Sequence, residues 1–454
     1  MSVFTPAVAE DSVSTPRALR LRFRGAASAL SPDDLRALFQ RLTFGRAAVQ
    51  SSVQEIIARV QRDGDRALFE MAREYDRVAL EQLEIPREAL RRALDKLDPP
   101  LRRALERSAD NVARVHRAFL PRASETSPEK GIVIGRRPDP LGRVGVYAPG
   151  GRAVYPSSVL MGVIPARVAG VGEVILCSPP SPDGLPSPPL LAAAELAGVD
   201  RVFALGGAGA IAAMALGTQS VPRVDRVVGP GNAYVAEAKL QLTGTLAIDS
   251  PAGPSELLVI AADGSDPELV AREMLAQAEH DPLTCVVAVV VGEAFATAVE
   301  QALALQVGTA ARREVIADAL SGQGGIITVD TFAEATTFAS RYAPEHLLIA
   351  LAEDEACDAV LDNVRNAGTI FVGETSSNAF GDYMTGANHV LPTGGLARSY
   401  SGLSTLDFVR WTTWQRVSPQ AAARLAADVG AFADAEGLPG HALAARAWTA
   451  GGIA

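Results

Sequence analysis

The sequence predicts an α/β protein: two Rossmann-like lobes, each a parallel sheet flanked by helices, with helical N- and C-terminal extensions. Three observations predict it. Short runs rich in Val and Ile begin at residue 143 and alternate with Ala-rich helical stretches, the pattern of parallel strands buried on both faces. The rhythm occurs twice, with runs over 143–148, 173–177, 201–205 and 226–228, then over 256–261, 284–291, 325–329, 345–350 and 368–372. Between about residues 30 and 120 the apolar positions recur at helical spacing instead.

Taken in order, residues 1–44 form an N-terminal extension. Ser52-Val-Gln-Glu55 fits a capping box at a helix start. A second helical stretch over 87–119 is broken by Pro99-Pro100. The helical segment 45–146 is expected to pack with the second α/β lobe. Residues 147–254 make the first lobe and 255–402 the second. Asp266-Pro267 opens a helix, the Asp capping it and Pro being tolerated at its first position. That helix reaches Gln277-Ala-Glu-His280 and is stopped by Asp281-Pro282. Residues 403–454 lose the strand rhythm, carry Trp411 and Trp414, and contain an Ala-rich helix from Pro419 to about Ala435. This part reads as a tail or an oligomerisation arm.

Composition narrows the function classes. The chain has 454 residues, 48% hydrophobic and 21% charged, with net charge −10. An acidic chain of this kind argues against a nucleic-acid partner, which calls for a basic face. No run of about 18 apolar residues suggests a membrane span, and the N-terminal stretch lacks the pattern of a secretory signal. The three cysteines, Cys177, Cys285 and Cys357, are widely spaced and odd in number. They read as reduced thiols of a cytoplasmic protein, and Cys177 as a buried strand residue.

The chemistry concentrates at histidines. Four of the five lie in segments crowded with catalytic residue types: Gln277-Ala-Glu-His280, Pro344-Glu345-His346, the loop from Gly381-Asp382 to Asn388-His389, and Glu436-Gly-Leu-Pro-Gly-His441. Imidazole is a common metal ligand and a common near-neutral acid or base. Gln277 and His280, three apart, share a helix face and suit one divalent ion, or else are polar residues of a helix end. Glu345 and His346 suit a division of acid–base work, or else form a solvated pair at a strand edge. His116, in an Arg-rich helical stretch, reads as a surface or interface residue. Gly207-Ala-Gly209-Ala-Ile-Ala212 follows a strand with dinucleotide-fingerprint spacing. Tyr147-Ala-Pro-Gly-Gly151 and Gly229-Pro-Gly-Asn232 are further Gly-rich turns at strand ends, where ligands of such folds bind.

Together with Ile248-Asp-Ser-Pro-Ala-Gly-Pro-Ser255-Glu256, these segments resemble the histidinol dehydrogenase family over about residues 45 to 450. The resemblance implies oxidation of L-histidinol to L-histidine by way of histidinal, with two NAD and one water. It implies one zinc per subunit held by Gln277, His280 and Asp382, with His441 from the partner's tail, and so a homodimer with shared active sites. By the same resemblance His346 is a general base and Glu345 activates water. Ser255 and Glu436 contact the substrate, as do Gln277, His280, His346, Asp382 and His441, and His389 lies near it. Tyr147, Asn232 and position 209 contact NAD. The family usually has glutamine where this chain has Gly209, so one hydrogen bond to NAD is missing, a loss of about 1 kcal/mol. The fingerprint spacing there is then coincidental. Two rival readings are a related dehydrogenase of another polar alcohol, such as a sulfonated diol, and a silent zinc- or nucleotide-binding protein. Glu436 argues against the first, because a carboxylate suits a cationic substrate. The Glu345–His346 pair argues against the second.

Overall fold

The computed structural model describes residues 19–41, 47–150 and 154–449. The N-terminal stretch up to residue 18 and Gly151 of the first Gly-rich turn therefore lie outside the described residues. Among the described residues the first elements are strand β1 (Phe23–Ala26) and helix α1 (Pro32–Phe39), the latter capped by Ser31. Next come α2 (Ala47–Asp63), α3 (Asp65–Met71), the two-residue β2 (Glu84–Ile85), α4 (Arg87–Asp95) and α5 (Pro99–Ala118). Asp98 caps α5, and Pro99 and Pro100 occupy its first turn, where no amide hydrogen is needed. Ser52 does not start a helix. It lies inside α2 and its hydroxyl donates back to Ala48 O, because Val49, one turn earlier, already packs with Val53 and Val60 on the core and carries the helix upstream of it.

Two strands, β3 (Ser124–Thr126) and β4 (Ile132–Pro140), then lead into the first lobe. That lobe is β5 (Arg143–Tyr147), α6 (Pro156–Ala169), β6 (Glu173–Ser178), α7 (Pro188–Ala197), β7 (Arg201–Ala204), α8 (Gly207–Leu216), β8 (Arg226–Val228), α9 (Ala233–Leu242) and β9 (Ala247–Ile248). Its sheet order is β2-β7-β6-β5-β8-β9, parallel except for β2. The second lobe is β10 (Glu256–Ala262), α10 (Pro267–Ala278), β11 (Cys285–Val291), α11 (Glu293–Val307), α12 (Arg313–Gln323), β12 (Gly324–Val329), α13 (Phe332–Tyr342), β13 (His346–Ala350), α14 (Asp354–Asn363), β14 (Thr369–Val372) and the short α15 (Asn378–Tyr383). All six strands of its sheet, ordered β1-β12-β11-β10-β13-β14, run parallel. The α/β fold class and its two parallel sheets are therefore as the sequence predicts.

Four expectations change. The helices of residues 45–146 pack on the first lobe, not the second: Val53, Leu68, Leu90 and Val112 share one core with Val144, Leu176 and Phe203. The second lobe is already covered on both faces by its own helices. The same segment is not purely helical, since β2, β3 and β4 interrupt it. The N-terminal extension contributes the edge strand β1, in register with β12 from Phe23↔Gly325 to Ala26↔Thr328. The tail holds a nine-residue strand, β15 (Val409–Val417), before α16 (Pro419–Ala435) and α17 (Pro439–Arg446). Strand β15 pairs antiparallel with β4 in a three-stranded sheet. Gly135 faces Trp414 there, and a Cβ at Gly135 would lie 2.3 Å from the indole.

Loops at the strand ends join the lobes. Asn388 Nδ2 donates to Met161 O of α6 at 2.8 Å, and Asn111 Nδ2 of α5 to Met384 O at 2.7 Å. Among the described residues no helix is long and apolar enough to cross a membrane.

Candidate active site

Strands β10 and β13 are neighbours, with Leu257 opposite His346. Glu345 and His346 thus enter the second lobe's sheet beside Ser255 and Glu256. Both are buried rather than solvated, at 6% and 3% exposure, which decides against the strand-edge alternative. His346 Nδ1 lies 3.1 Å from the Glu256 carbonyl oxygen, to which it donates, and 3.4 Å from Glu345 Oε2. Its Nε2 lies 3.6 Å from Asp382 Oδ1 and is buried with no hydrogen bond. The ring stacks on Phe371, centroids 6.0 Å apart. A Cβ at Gly381 would touch that phenyl ring at 2.3 Å, so only glycine lets α15 bring Asp382 this close.

Burial disfavours the charged form of His346, yet the nearby charges of Glu345 and Asp382 outweigh it and hold the imidazole up at about 10. Burial raises Glu345. Asp382 is lowered, the histidine partners His346, His389 and His280 overcoming its burial. His280 and His389 are lowered, chiefly by burial, and so are kept in the neutral form that ligates a metal. His389 Nδ1 bonds the Asp382 carbonyl oxygen at 2.8 Å.

Sequence reasoning gave no role to the layer behind the pair. Glu256 N donates to Glu345 Oε2 at 2.7 Å. The Glu256 carboxylate is gripped by Arg41, at 2.8 and 3.1 Å, and accepts from Gly394 N at 2.8 Å. The Arg41 guanidinium lies 3.4 Å from the Tyr342 ring centroid and also donates to Leu38 O and Tyr342 O. Glu256 stood in a quoted motif; Arg41, 215 residues away, carried no signal.

The other sequence-derived residues divide into three sets. Gln277, in the last turn of α10, is 1% exposed, and His280 lies just beyond the helix end, so the two share a turn rather than a helix face. Helix α10 packs on α15, so Gln277, His280 and Asp382 come from adjoining elements. On the first lobe, the Tyr147 hydroxyl accepts from Gly207 N at 3.1 Å at the start of α8. Asn232 caps α9 through Tyr234 N and Val235 N. Gly209 lies inside α8 with ordinary helical backbone, and a Cβ there would lie 3.0 Å from Met71 Sδ. Glu436 and His441 stand exposed on the tail. His116 is a correction: at 4% exposure it is buried, with Nδ1 on Val112 O at 2.9 Å.

Comparison with known proteins identifies the family. The histidinol dehydrogenase family matches residues 40–448. A histidinol dehydrogenase of Natronomonas pharaonis is 48% identical over 418 residues, covering 92% of this chain and 97% of that protein. One of Methanosarcina barkeri is 45% identical over 405 residues, 88% and 92% of the two chains. The crystal structure of histidinol dehydrogenase from Elizabethkingia anophelis superposes with a TM-score of 0.89 at 30% identity, over 95% of this chain and 98% of that one. A match of this length, on a fold that buries Glu345 and His346 against Asp382, means that this chain belongs to the histidinol dehydrogenase family and is an oxidoreductase of histidine biosynthesis.

Proposed function

We propose that the chain oxidises L-histidinol to L-histidine in two NAD-linked steps, with zinc at Gln277, His280 and Asp382 and with His441 completing the site from a partner subunit. The observation that carries the reading is the buried row Glu345–His346–Asp382, in which His346 Nε2 has no hydrogen bond. The residues fit a metal. The buried Gln277 amide has one end without a partner, where its carbonyl oxygen can be turned, Asp382 keeps a lowered carboxyl, and His280 is held neutral. Among the described residues no group of three or more His, Cys, Asp or Glu can hold a metal ion; the set proposed within one subunit has two such residues and one amide. When bound, zinc supplies a fixed cationic anchor for the amine and imidazole nitrogens of the substrate.

In the first step His346 accepts the hydroxyl proton while the carbon gives its hydride to NAD. His346 must be neutral to do so. A cation held at Asp382 would offset one of the two carboxylates that keep His346 protonated. In the second step Glu345 takes a proton from water as the water oxygen adds to the aldehyde carbon. The resulting gem-diolate gives its hydride to a second NAD, leaving the acid. Tyr147 and Asn232, at the strand ends of the first lobe, line the NAD side. The exposed Phe432 and Leu443 on the tail helices, with Trp448 just beyond them, support a homodimer, and three buried free thiols support a cytoplasmic setting. A steady-state assay of L-histidinol with NAD, with and without a strong chelator, tests the reading. Chelator-sensitive formation of two NADH per histidinol is expected; full activity in a preparation shown to be metal-free would overturn the zinc role.

A further inference from the structure

Gln277 and Asn378 form a buried amide pair. They are 1% and 2% exposed, and Asn378 Nδ2 donates to Gln277 Oε1 at 3.1 Å. The other atom of each amide, Gln277 Nε2 and Asn378 Oδ1, is buried with no hydrogen-bond partner. Asn378 is itself fixed, because its backbone N donates to Glu273 Oε2 at 3.0 Å. Each amide can turn by 180°, exchanging its oxygen and nitrogen. Turning both keeps the hydrogen bond with its direction reversed, now from Gln277 Nε2 to Asn378 Oδ1. It also puts the Gln277 carbonyl oxygen at the end that has no partner. One state offers an NH₂ donor at that end, which repels a cation; the other offers a carbonyl, which binds one.

We propose that Asn378 is a positioning residue: by accepting from Gln277 Nε2 it turns the Gln277 carbonyl toward the cation. The proposal rests on the zinc reading above and adds to it a residue outside the ligand set. Groups that orient a metal ligand matter about 10–100-fold in metal affinity. An amide can reverse its role without a change of charge, so the pair remains satisfied at its shared hydrogen bond with or without the ion.

The test is zinc affinity of purified apoprotein, measured by competition with a chromophoric chelator, with circular dichroism to confirm folding. Asn378→Ala should weaken zinc by about 10–100-fold. Asn378→Asp, which can only accept, should hold affinity within a few-fold of the unchanged chain. Gln277→Glu placed in the Asn378→Ala background should restore binding, because a carboxylate presents oxygen in either orientation. A general loosening of α15 would not be repaired that way. Unchanged affinity in Asn378→Ala, or failure of Gln277→Glu to rescue it, overturns the positioning role. If Gln277→Ala and His280→Ala both bind zinc as tightly as the unchanged chain, the zinc reading itself falls.

Discussion

Glu345 and His346 are neighbours in sequence, but the strand geometry gives them different duties. His346 begins β13 and reaches Asp382, whereas Glu345 is tied to Glu256 N. His346→Ala should slow oxidation of the alcohol. Glu345→Gln should slow the aldehyde-to-acid step more than the first, since only that step uses activated water. A well-placed acid or base contributes roughly 10²- to 10⁴-fold. Histidinol and histidinal assayed as separate substrates check this, and equal losses on both for Glu345→Gln would refute the division. A second residue expectation concerns Asp76. Burial holds its carboxyl up at about 6, from an ordinary value of 3.8, beside Tyr147 and with Oδ1 3.5 Å from where a Cβ on Gly206 would lie. A raised carboxyl favours the protonated form in the fold. Its contribution is complete below pH 3.8 and is lost as pH rises through about 6. Asp76→Asn should therefore raise the melting temperature at pH 8, with the gain fading toward pH 4. Gly209 also belongs at this scale. Position 209 sits against Met71 in a regular helix, so Gly209→Gln must first displace a flexible thioether. It gains any NAD contact only after that adjustment.

At the scale of elements, β4 and β15 are held together where Gly135 admits the Trp414 ring. Gly135→Ala should cost about 1–3 kcal/mol by overpacking and loosen the seating of α16 and α17, read as a lower melting temperature and a lower dimer fraction. Arg41 and Glu256 are 6% and 1% exposed. Arg41→Ala leaves a buried carboxylate without its cation, a loss of about 3–5 kcal/mol. Chemical denaturation should show that loss, and activity should fall because Glu256 holds both Glu345 and His346. The elements also show what a sequence can reveal. Strands β5 to β8 and β10 to β13 were legible because both faces are buried and the chain reads as apolar runs, and β14, only half-buried, still reads as one. Strands β4 and β15 were not: on an exposed antiparallel sheet Arg136, Arg137, Arg410 and Arg416 alternate with Trp and Thr, and the apolar run disappears. Ser52 misled because a capping box is a local signal, while the helix start was set by packing of α2 on the first lobe.

For the whole molecule, the sharpest test is of subunit sharing. If His441 reaches into a partner, dimers of His441→Ala and of His346→Ala are each inactive. Mixed after dissociation, they should regain activity, because one site of the heterodimer carries neither change. No recovery in verified heterodimers would mean that each subunit builds its own site. Most of the site was legible in the sequence because its residues sit in compact motifs at strand ends. Arg41 and Asn378 were not, because their roles come from partners 215 and 101 residues away. The same long reach governs how the protein is made. Strand β1 pairs with β12, Arg24 opposite Ile326, whereas every strand of the first lobe's sheet lies between residues 84 and 248. On the ribosome, at about 5–20 residues per second, the first sheet can close while β1 waits roughly 15–60 s for its mate. During that interval Phe23, 1% exposed once folded, is an uncovered aromatic residue on an unpaired strand. The nascent chain thus presents a chaperone with a binding segment for as long as the second lobe is being translated.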